Sequence, residues 1–136
     1  MIIVDSSVWI DYFNGKDIPE VATLDRLLKT ELLAVGDLIV VEVLQGFRQD
    51  KDYQTAKHLL TSLTVFEMLG AEMAMKSAGN FRNLRKKGIT VRKTIDVMIA
   101  TFCIEHGHEL LFSDKDFAPF VEHLGLMAVV KCNTEI

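Results

Sequence analysis

The sequence has few of the residues that mark specialised structural classes. It contains two cysteines and two prolines among 136 residues. Cys103 and Cys132 form no CxxC pair or disulfide framework, which excludes a disulfide-stapled secreted domain and favours a reducing cytoplasm. No apolar run approaches the ~20 residues of a membrane span, and residues 1–5 lack the basic start of a signal peptide. We therefore expect a soluble cytoplasmic protein with no membrane partner.

The composition that remains is that of an ordinary globular protein, with 49% hydrophobic and 25% charged residues. A chain of this length can bury roughly two thirds of its unfolded surface, which is enough for a self-supporting core. No repeat, low-complexity tract or linker interrupts it. These features predict a single domain over residues 1–136.

Acidic residues are missing from one long segment, residues 73–95, which we call the basic segment. It carries seven Lys or Arg, and the rest of the chain has eight bases against nineteen acids, a net charge of −11. Such a segment can be a solvated helix face, or it can follow a phosphate backbone beside an acidic site. The sequence alone leaves both interpretations open.

Short apolar runs alternate with segments of helical spacing, which predicts an α/β fold with a mostly parallel central sheet. The predicted strands are residues 1–4, 32–35, 63–66, 110–112 and 126–130. The predicted helices are residues 18–29, 37–47, 53–60, 71–87 and 94–105. Asp37 and Thr94 are expected to act as N-caps, and Gly88 and Gly107 to end helices.

Two acids follow predicted strands directly. Asp5 ends the first apolar run, and Asp114 comes shortly after residues 110–112. Each can be a turn or capping residue. However, the carboxyl ends of parallel strands are also the edge at which ligands bind in open α/β sheets.

Two further acids interrupt apolar helical segments. Glu42 is surrounded by Val, Leu and Ile, so it should be largely buried. Asp96 shares a predicted helix face with Ile99, Ala100 and Cys103, and it lies in the first turn, where the helix dipole favours negative charge. A buried carboxylate without a partner costs several kcal/mol unless something compensates it.

A divalent cation shared by several carboxylates would compensate this charge. Hard oxygen ligands without converging His or Cys are typical of Mg²⁺ or Mn²⁺, which also bind phosphate oxygens. Phosphodiester hydrolysis is a natural reaction for such a site.

Five sequence segments in this order resemble the PIN-domain nucleases, most closely the VapC-type toxins of toxin–antitoxin pairs. They cover nearly the whole chain and are IVDSSVWI at residues 3–10, VEVLQG at 41–46, FR through GITV at 81–91, DVMIA at 96–100, and SDKDF at 113–117. The resemblance implies a three-layer α/β/α sandwich, metal-dependent endonucleolytic cleavage of RNA, and an antitoxin protein that holds the enzyme inactive.

The resemblance also assigns roles to the acids. It implies that Asp5 and Asp96 are the principal Mg²⁺ ligands and that Glu42 and Asp114 complete the shell or position water. Asp116 is a further candidate ligand, ranked after Asp114 because Asp114 lies nearer the strand end.

Three kinds of supporting residue complete the hypothesis. Ser7 falls where the family often has a small hydroxyl or amide residue near the first Asp. Arg82, Arg85 and Lys86 are expected to contact RNA, because their helix precedes the one that carries Asp96. With a mean hydropathy of +0.22, apolar surface should remain for an antitoxin helix or for a second copy in a homodimer.

Other interpretations of these residues have less support. Ser6 and Ser7 lack the GxSxG elbow of a catalytic nucleophile. The residues Cys103, His106 and His108 surround a predicted helix-ending turn, which favours structural roles over zinc binding. The spacing of Trp9 and Phe13 favours core packing over base stacking. A receiver-type phosphotransfer domain would need paired acids after the first strand, and Asp5 is followed by two serines. A catalytically inactive PIN-like module that binds RNA or protein is the remaining alternative. It should lack one of the site acids, and none is missing.

Overall fold

The computed structural model describes residues 1–131, so Cys132 lies outside the described residues. These residues form a five-stranded sheet in the order β3-β2-β1-β4-β5, in which every pairing is parallel. The strands are β1 (Ile2–Val4), β2 (Leu33–Gly36), β3 (Thr64–Phe66), β4 (Glu109–Leu111) and β5 (Met127–Ala128). The predicted parallel sheet is therefore confirmed, although β5 is shorter than its apolar run.

Helical segments connect these strands along the whole described range. In chain order they are α1 (Ser6–Phe13), α2 (Pro19–Leu27), α3 (Asp37–Leu44), α4 (Asp50–Thr61), α5 (Ala71–Lys86), α6 (Thr94–His106), a 3₁₀ helix (Lys115–Phe117) and α7 (Ala118–Leu124). No helix in the described part of the chain is long and apolar enough to cross a membrane.

The helices form two layers, one on each face of the sheet. The chain moves outward from β1 to β3 and then returns to β4 and β5, and right-handed crossovers place helices on opposite faces when this direction reverses. Accordingly, α1 packs on α2 and α3, and α3 on α4, whereas α5 packs on α6 and α7. The expected three-layer α/β/α architecture is confirmed.

The core lies on both faces of β1. Ile3 and Val4 are fully buried, as expected for a strand covered by helices on both sides. Trp9 is also fully buried, and its ring stacks on Phe13 with centroids 6.0 Å apart. The interpretation of Trp9 as a core residue rather than an exposed stacking platform matches this position.

Two predicted N-caps are wrong. Gly36 and Lys93 occupy the cap positions of α3 and α6, and neither helix start has a side-chain cap hydrogen bond. Asp37 is instead the first residue of α3, where its Oδ1 accepts hydrogen bonds from the backbone N–H groups of Leu38 (2.8 Å) and Met68 (3.0 Å). Its carboxylate thus fixes the segment after β3 against the start of α3.

Helices α1 and α7 were not predicted from the sequence. Only one residue, Asp5, separates helix α1 from β1. Because no longer loop lies between the two, the apolar residues of the strand and of the helix merge into one pattern in the sequence. Helix α7 has seven residues, too few to repeat a helical pattern convincingly.

Candidate functional site

The carboxyl ends of β1 and β4 form the base of the site. The two strands are neighbours, with Val4 paired to Leu111, and the Asp5 N–H donates to the Leu111 carbonyl at 2.9 Å. Because the chain leaves these two strands toward opposite faces of the sheet, their carboxyl ends border the crevice in which α/β proteins bind ligands. Asp5 and Asp114 follow these two strands, as the sequence predicted.

Asp5 is held by the start of α1. It is the N-cap, and its Oδ2 accepts hydrogen bonds from the Ser7 N–H at 3.3 Å and the Ser7 hydroxyl at 2.7 Å. Its Oδ1 is buried and has no hydrogen-bond partner among the described residues. Burial raises the pKa of Asp5, as does the charge of Asp114, against the opposing effect of the hydrogen bonds from Ser7 and Ser6.

Asp96 lies in the first turn of α6 and is 4% exposed. Its Oδ2 is a second buried carboxylate oxygen without a partner in the part of the chain that the structure describes. Burial raises the pKa of Asp96 to about 7, helped by the charges of Asp5, Glu42 and Asp114 and opposed by Lys93. The dependence on these acids places Asp96 within their electrostatic reach.

Glu42 approaches the same place from α3. Its Oε1 accepts a hydrogen bond from the Ser6 hydroxyl at 3.0 Å. Burial and the charge of Asp5 raise its pKa, while Ser6 and Lys93 lower it. The expectation that Glu42 is largely buried is wrong: it is only partly buried, because Ile39 and Val43 are the residues that α3 turns into the core.

Asp114 and Asp116 both reach the site. Asp114 caps the 3₁₀ helix, with its Oδ1 accepting from the Asp116 N–H at 2.9 Å. Carboxylate oxygens of Asp96, Asp114 and Asp116 lie within 4.8 Å of one another, a grouping that could hold a metal ion. Asp116 Oδ1 also lies 3.8 Å from Arg92 Nη2. The ranking of Asp114 over Asp116 stays a prediction.

These five residues, Asp5, Glu42, Asp96, Asp114 and Asp116, form what we call the acidic cluster. Two of its buried oxygens, Asp5 Oδ1 and Asp96 Oδ2, lack partners among the described residues. Unsatisfied buried carboxylate oxygens are costly, and hard divalent cations take such oxygens as ligands. The cluster therefore fits Mg²⁺ or Mn²⁺.

The basic end of α5 lies beside the acidic cluster. Lys76 Nζ contacts Glu105 Oε2 at 2.8 Å, and Asn80 Nδ2 donates to Thr101 Oγ1 at 3.0 Å, so α5 runs antiparallel to α6. The end of α5 thus meets the start of α6, where Asp96 lies. This end carries the three residues expected to contact RNA, which are all exposed: Arg82, Arg85 and Lys86.

Sequence reasoning gave no site role to Ser6, Arg92 or Lys93. Ser6 binds Glu42, Arg92 lies near Asp116, and Lys93 lowers the pKa of Asp96 and Glu42. The only sequence signal for the role of Ser6 was its position directly after Asp5. The two bases were visible only as members of the basic segment.

The residues of the zinc interpretation have other surroundings. Cys103 is fully buried, and burial raises the pKa of its thiol to about 12. His106 Nδ1 lies 3.0 Å from the Phe102 carbonyl oxygen, and His108 Nδ1 lies 3.2 Å from the Met1 amino nitrogen. These contacts match the structural roles expected for them.

Comparison with known proteins gives a consistent picture. The family model described as the PIN domain matches residues 2–121. A relative named VapC ribonuclease Mb1587, from Mycobacterium bovis, is 32% identical over 119 residues, which cover 86% of this chain and 89% of the relative.

Solved structures share the fold. VapBC2 from Rickettsia felis, bound to a DNA fragment from its promoter, matches with a TM-score of 0.74 and 17% identity, covering 95% of this chain and 98% of that chain. Mycobacterium tuberculosis VapC20, described as a Sarcin-Ricin loop cleaving toxin, matches with a TM-score of 0.68, 18% identity and the same coverage.

Proposed function

Since the chain belongs to the PIN-domain family and is of the VapC type, we propose that it is a metal-dependent endoribonuclease and the toxin of a toxin–antitoxin pair. The observation that carries the proposal is the pair of buried oxygens on Asp5 and Asp96, inside the acidic cluster, that have no partner among residues 1–131. A purely structural cluster would be expected to satisfy these oxygens with protein donors.

Asp5 and Asp96 would hold the ion directly, and Glu42, Asp114 and Asp116 would complete its surroundings or orient a water molecule. When bound, Mg²⁺ or Mn²⁺ supplies positive charge that binds the scissile phosphate and acidifies water for hydrolysis. Ser7 fixes the orientation of Asp5 through its 2.7 Å hydrogen bond, which leaves Oδ1 for the ion.

The bases around the cluster would bind the RNA strand. Arg82, Arg85 and Lys86 are exposed at the end of α5, where they can pair with successive phosphates. Their charge also offsets the repulsion between the acidic cluster and a polyanion.

An antitoxin is the proposed protein partner, because a solved structure with this fold, from Klebsiella pneumoniae, is described as a toxin–antitoxin complex. The described surface leaves large apolar side chains exposed, including Ile10, Val41 and Val65. An antitoxin helix or a second copy of the chain could cover such residues. We also propose that the chain forms a homodimer.

The test is cleavage of a pool of cellular RNAs by the purified protein with Mg²⁺, Mn²⁺ or EDTA. We expect products with either metal, none with EDTA, and none from Asp5→Asn, since the change removes a ligand charge. Asp25→Asn, an exposed acid on α2, is the matched control and should cleave normally. Equal cleavage with EDTA, or by Asp5→Asn, would contradict the proposal.

A further inference from the structure

A groove of about 510 Å³ lies between α5 and α6. It is large enough for a small ligand. Thr94 and Val97 line it, and they lie within two residues of Asp96, so the groove adjoins the acidic cluster. Phe81 and Met98 make its walls largely apolar. No role in phosphate binding or hydrolysis uses this apolar surface.

The charges in the groove favour an anionic strand with apolar parts. Arg82 and Arg85 line it, and its lining contains no acidic residue. The Arg85 guanidinium carbon lies 5.6 Å from the centroid of the half-buried Phe81 ring, in a cation–π contact. Aromatic rings and guanidinium planes are the surfaces on which unstacked RNA bases pack.

The groove wall also contains an unsatisfied polar group. Ser77 is buried, and its hydroxyl has no hydrogen-bond partner among the described residues. A ligand that offers a hydrogen bond here gains more than an apolar one, because a buried hydroxyl without a partner is destabilising. The edge of a nucleobase offers such groups.

We propose that this groove holds a nucleobase of the RNA strand whose phosphodiester bond lies at the acidic cluster, and that Phe81, Arg85 and Ser77 select the base. The proposal rests on the proposed function and adds a base-reading subsite to it. A second copy of this chain is the less favourable occupant, because symmetric packing would bring two basic segments together.

The test measures binding in the Asp96→Asn background, which prevents cleavage. Fluorescently labelled tetranucleotides of A, C, G and U are compared with an abasic tetranucleotide of the same backbone. We expect at least one base to bind about tenfold tighter than the abasic strand, since stacking on an aromatic surface contributes roughly 1–3 kcal/mol per base.

Filling the groove should remove this preference. Ala78→Phe places a large side chain on the exposed groove wall, and Ala71→Phe places the same side chain at the start of α5, outside the groove lining. Ala78→Phe should bind all four tetranucleotides as weakly as the abasic strand. Ala71→Phe should keep the base preference of the wild type. Ser77→Ala should change the order in which the four tetranucleotides rank by affinity, without lowering the melting temperature.

Two results would overturn the proposal. The first is unchanged base preference in Ala78→Phe, and the second is a change in oligomeric mass with no change in RNA binding, which would assign the groove to a protein contact. Failure of the proposed function looks different: the wild-type protein would cleave no RNA with metal, while the binding comparison would still decide the occupant of the groove.

Discussion

Asp5 caps α1 with one carboxylate oxygen and leaves the other available to the proposed metal ion. Its Oδ2 caps α1 through Ser7, and its Oδ1 is buried without a partner among the described residues. A helix cap and a metal ligand are usually alternative explanations for an acid after a strand. In this protein the cap fixes the side chain so that the second oxygen faces the cluster.

Asp96→Asn should abolish cleavage and stabilise the metal-free protein. Its pKa is raised to about 7 from 3.8, so the folded state retains a proton that the unfolded state has lost. Its contribution therefore makes metal-free stability fall as the pH rises from about 4 to about 7. Asparagine removes this penalty, on the order of 4 kcal/mol, so the melting temperature at pH 8 without metal should rise by roughly 10–15 °C.

Thermal melts from pH 4 to pH 8 in EDTA measure this effect. The slope between pH 4 and 7 should be shallower in Asp96→Asn than in wild type, and Asp25→Asn should leave it unchanged. A lower melting temperature at pH 8 in Asp96→Asn would make Asp96 a stabilising structural residue instead.

At the residue scale, the sequence indicated which acids to choose but not their contacts. Asp5 and Asp114 could be found because a short apolar run that ends in an acid marks a strand end. The burial of Glu42 was overestimated, since neighbouring apolar residues do not reveal which face of α3 meets the core. The Ser6–Glu42 hydrogen bond joins residues 36 positions apart, and a local pattern contains no information about such a contact.

At the scale of elements, the β2–α3 junction depends on close packing at Gly36. A Cβ added there would overlap the Met68 side chain, and Met68 is fully buried and has little room to move. Gly36→Ala should therefore lower the free energy of unfolding by about 1–3 kcal/mol. Denaturant unfolding measures this change.

The controls separate the overlap from the loss of glycine itself. Gly79→Ala in α5 has open space around its Cβ and should stabilise by roughly 0.5–1 kcal/mol. In a Met68→Ala background, Gly36→Ala should cost less than in wild type, because the overlapping atoms are gone. Equal costs in both backgrounds would refute the packing explanation.

Arg82 and Lys86, at the basic end of α5, should bind the RNA backbone without regard to sequence. Arg82→Ala and Lys86→Ala should each weaken RNA binding and reduce the salt dependence by about one unit of slope in a plot of log affinity against log salt. Lys29→Ala is the control, since Lys29 lies before β2, at the amino ends of the strands and away from the acidic cluster. Unchanged slopes for both variants would leave these residues as a solvated helix face.

Helices were predictable where helical spacing repeats over several turns, and strands where a short apolar run stands out. Helices α5 and α6 and strands β1 to β4 were found within a few residues of their bounds. The N-caps at Asp37 and Thr94 were misassigned by one position, because Gly36 and Lys93 take the cap conformation without a side-chain bond. The antiparallel packing of α5 on α6 is a tertiary feature that neither helix encodes alone.

For the whole molecule, we expect the acidic cluster to make stability depend on metal. An ion at one hundred times its dissociation constant stabilises the folded state by about 2.7 kcal/mol. Because Asp96 must lose its proton to bind metal, the increase in melting temperature on adding Mg²⁺ should be larger at pH 8 than at pH 6. Scanning calorimetry at pH 6 and pH 8 tests this prediction. The Asp5→Asn variant should show little increase in melting temperature on adding Mg²⁺. An increase equal to that of the wild type would exclude the acidic cluster as the metal-binding site.

The overall charge of the chain conceals the arrangement that the fold produces. A net charge of −4 argues against a nucleic-acid-binding surface, but the fold sets a positive segment against a group of acids. The sequence showed the basic segment and the acidic residues, but it could not show how far apart they lie in the fold.

The acidic residues also have a consequence for synthesis. They are contributed by segments that begin at residue 5 and end at residue 116, and they meet only when β4 has paired with β1. A nascent chain therefore has no assembled cluster until residue 116 has emerged from the ribosome, so the proposed nuclease site does not exist while the segments before β4 are being made.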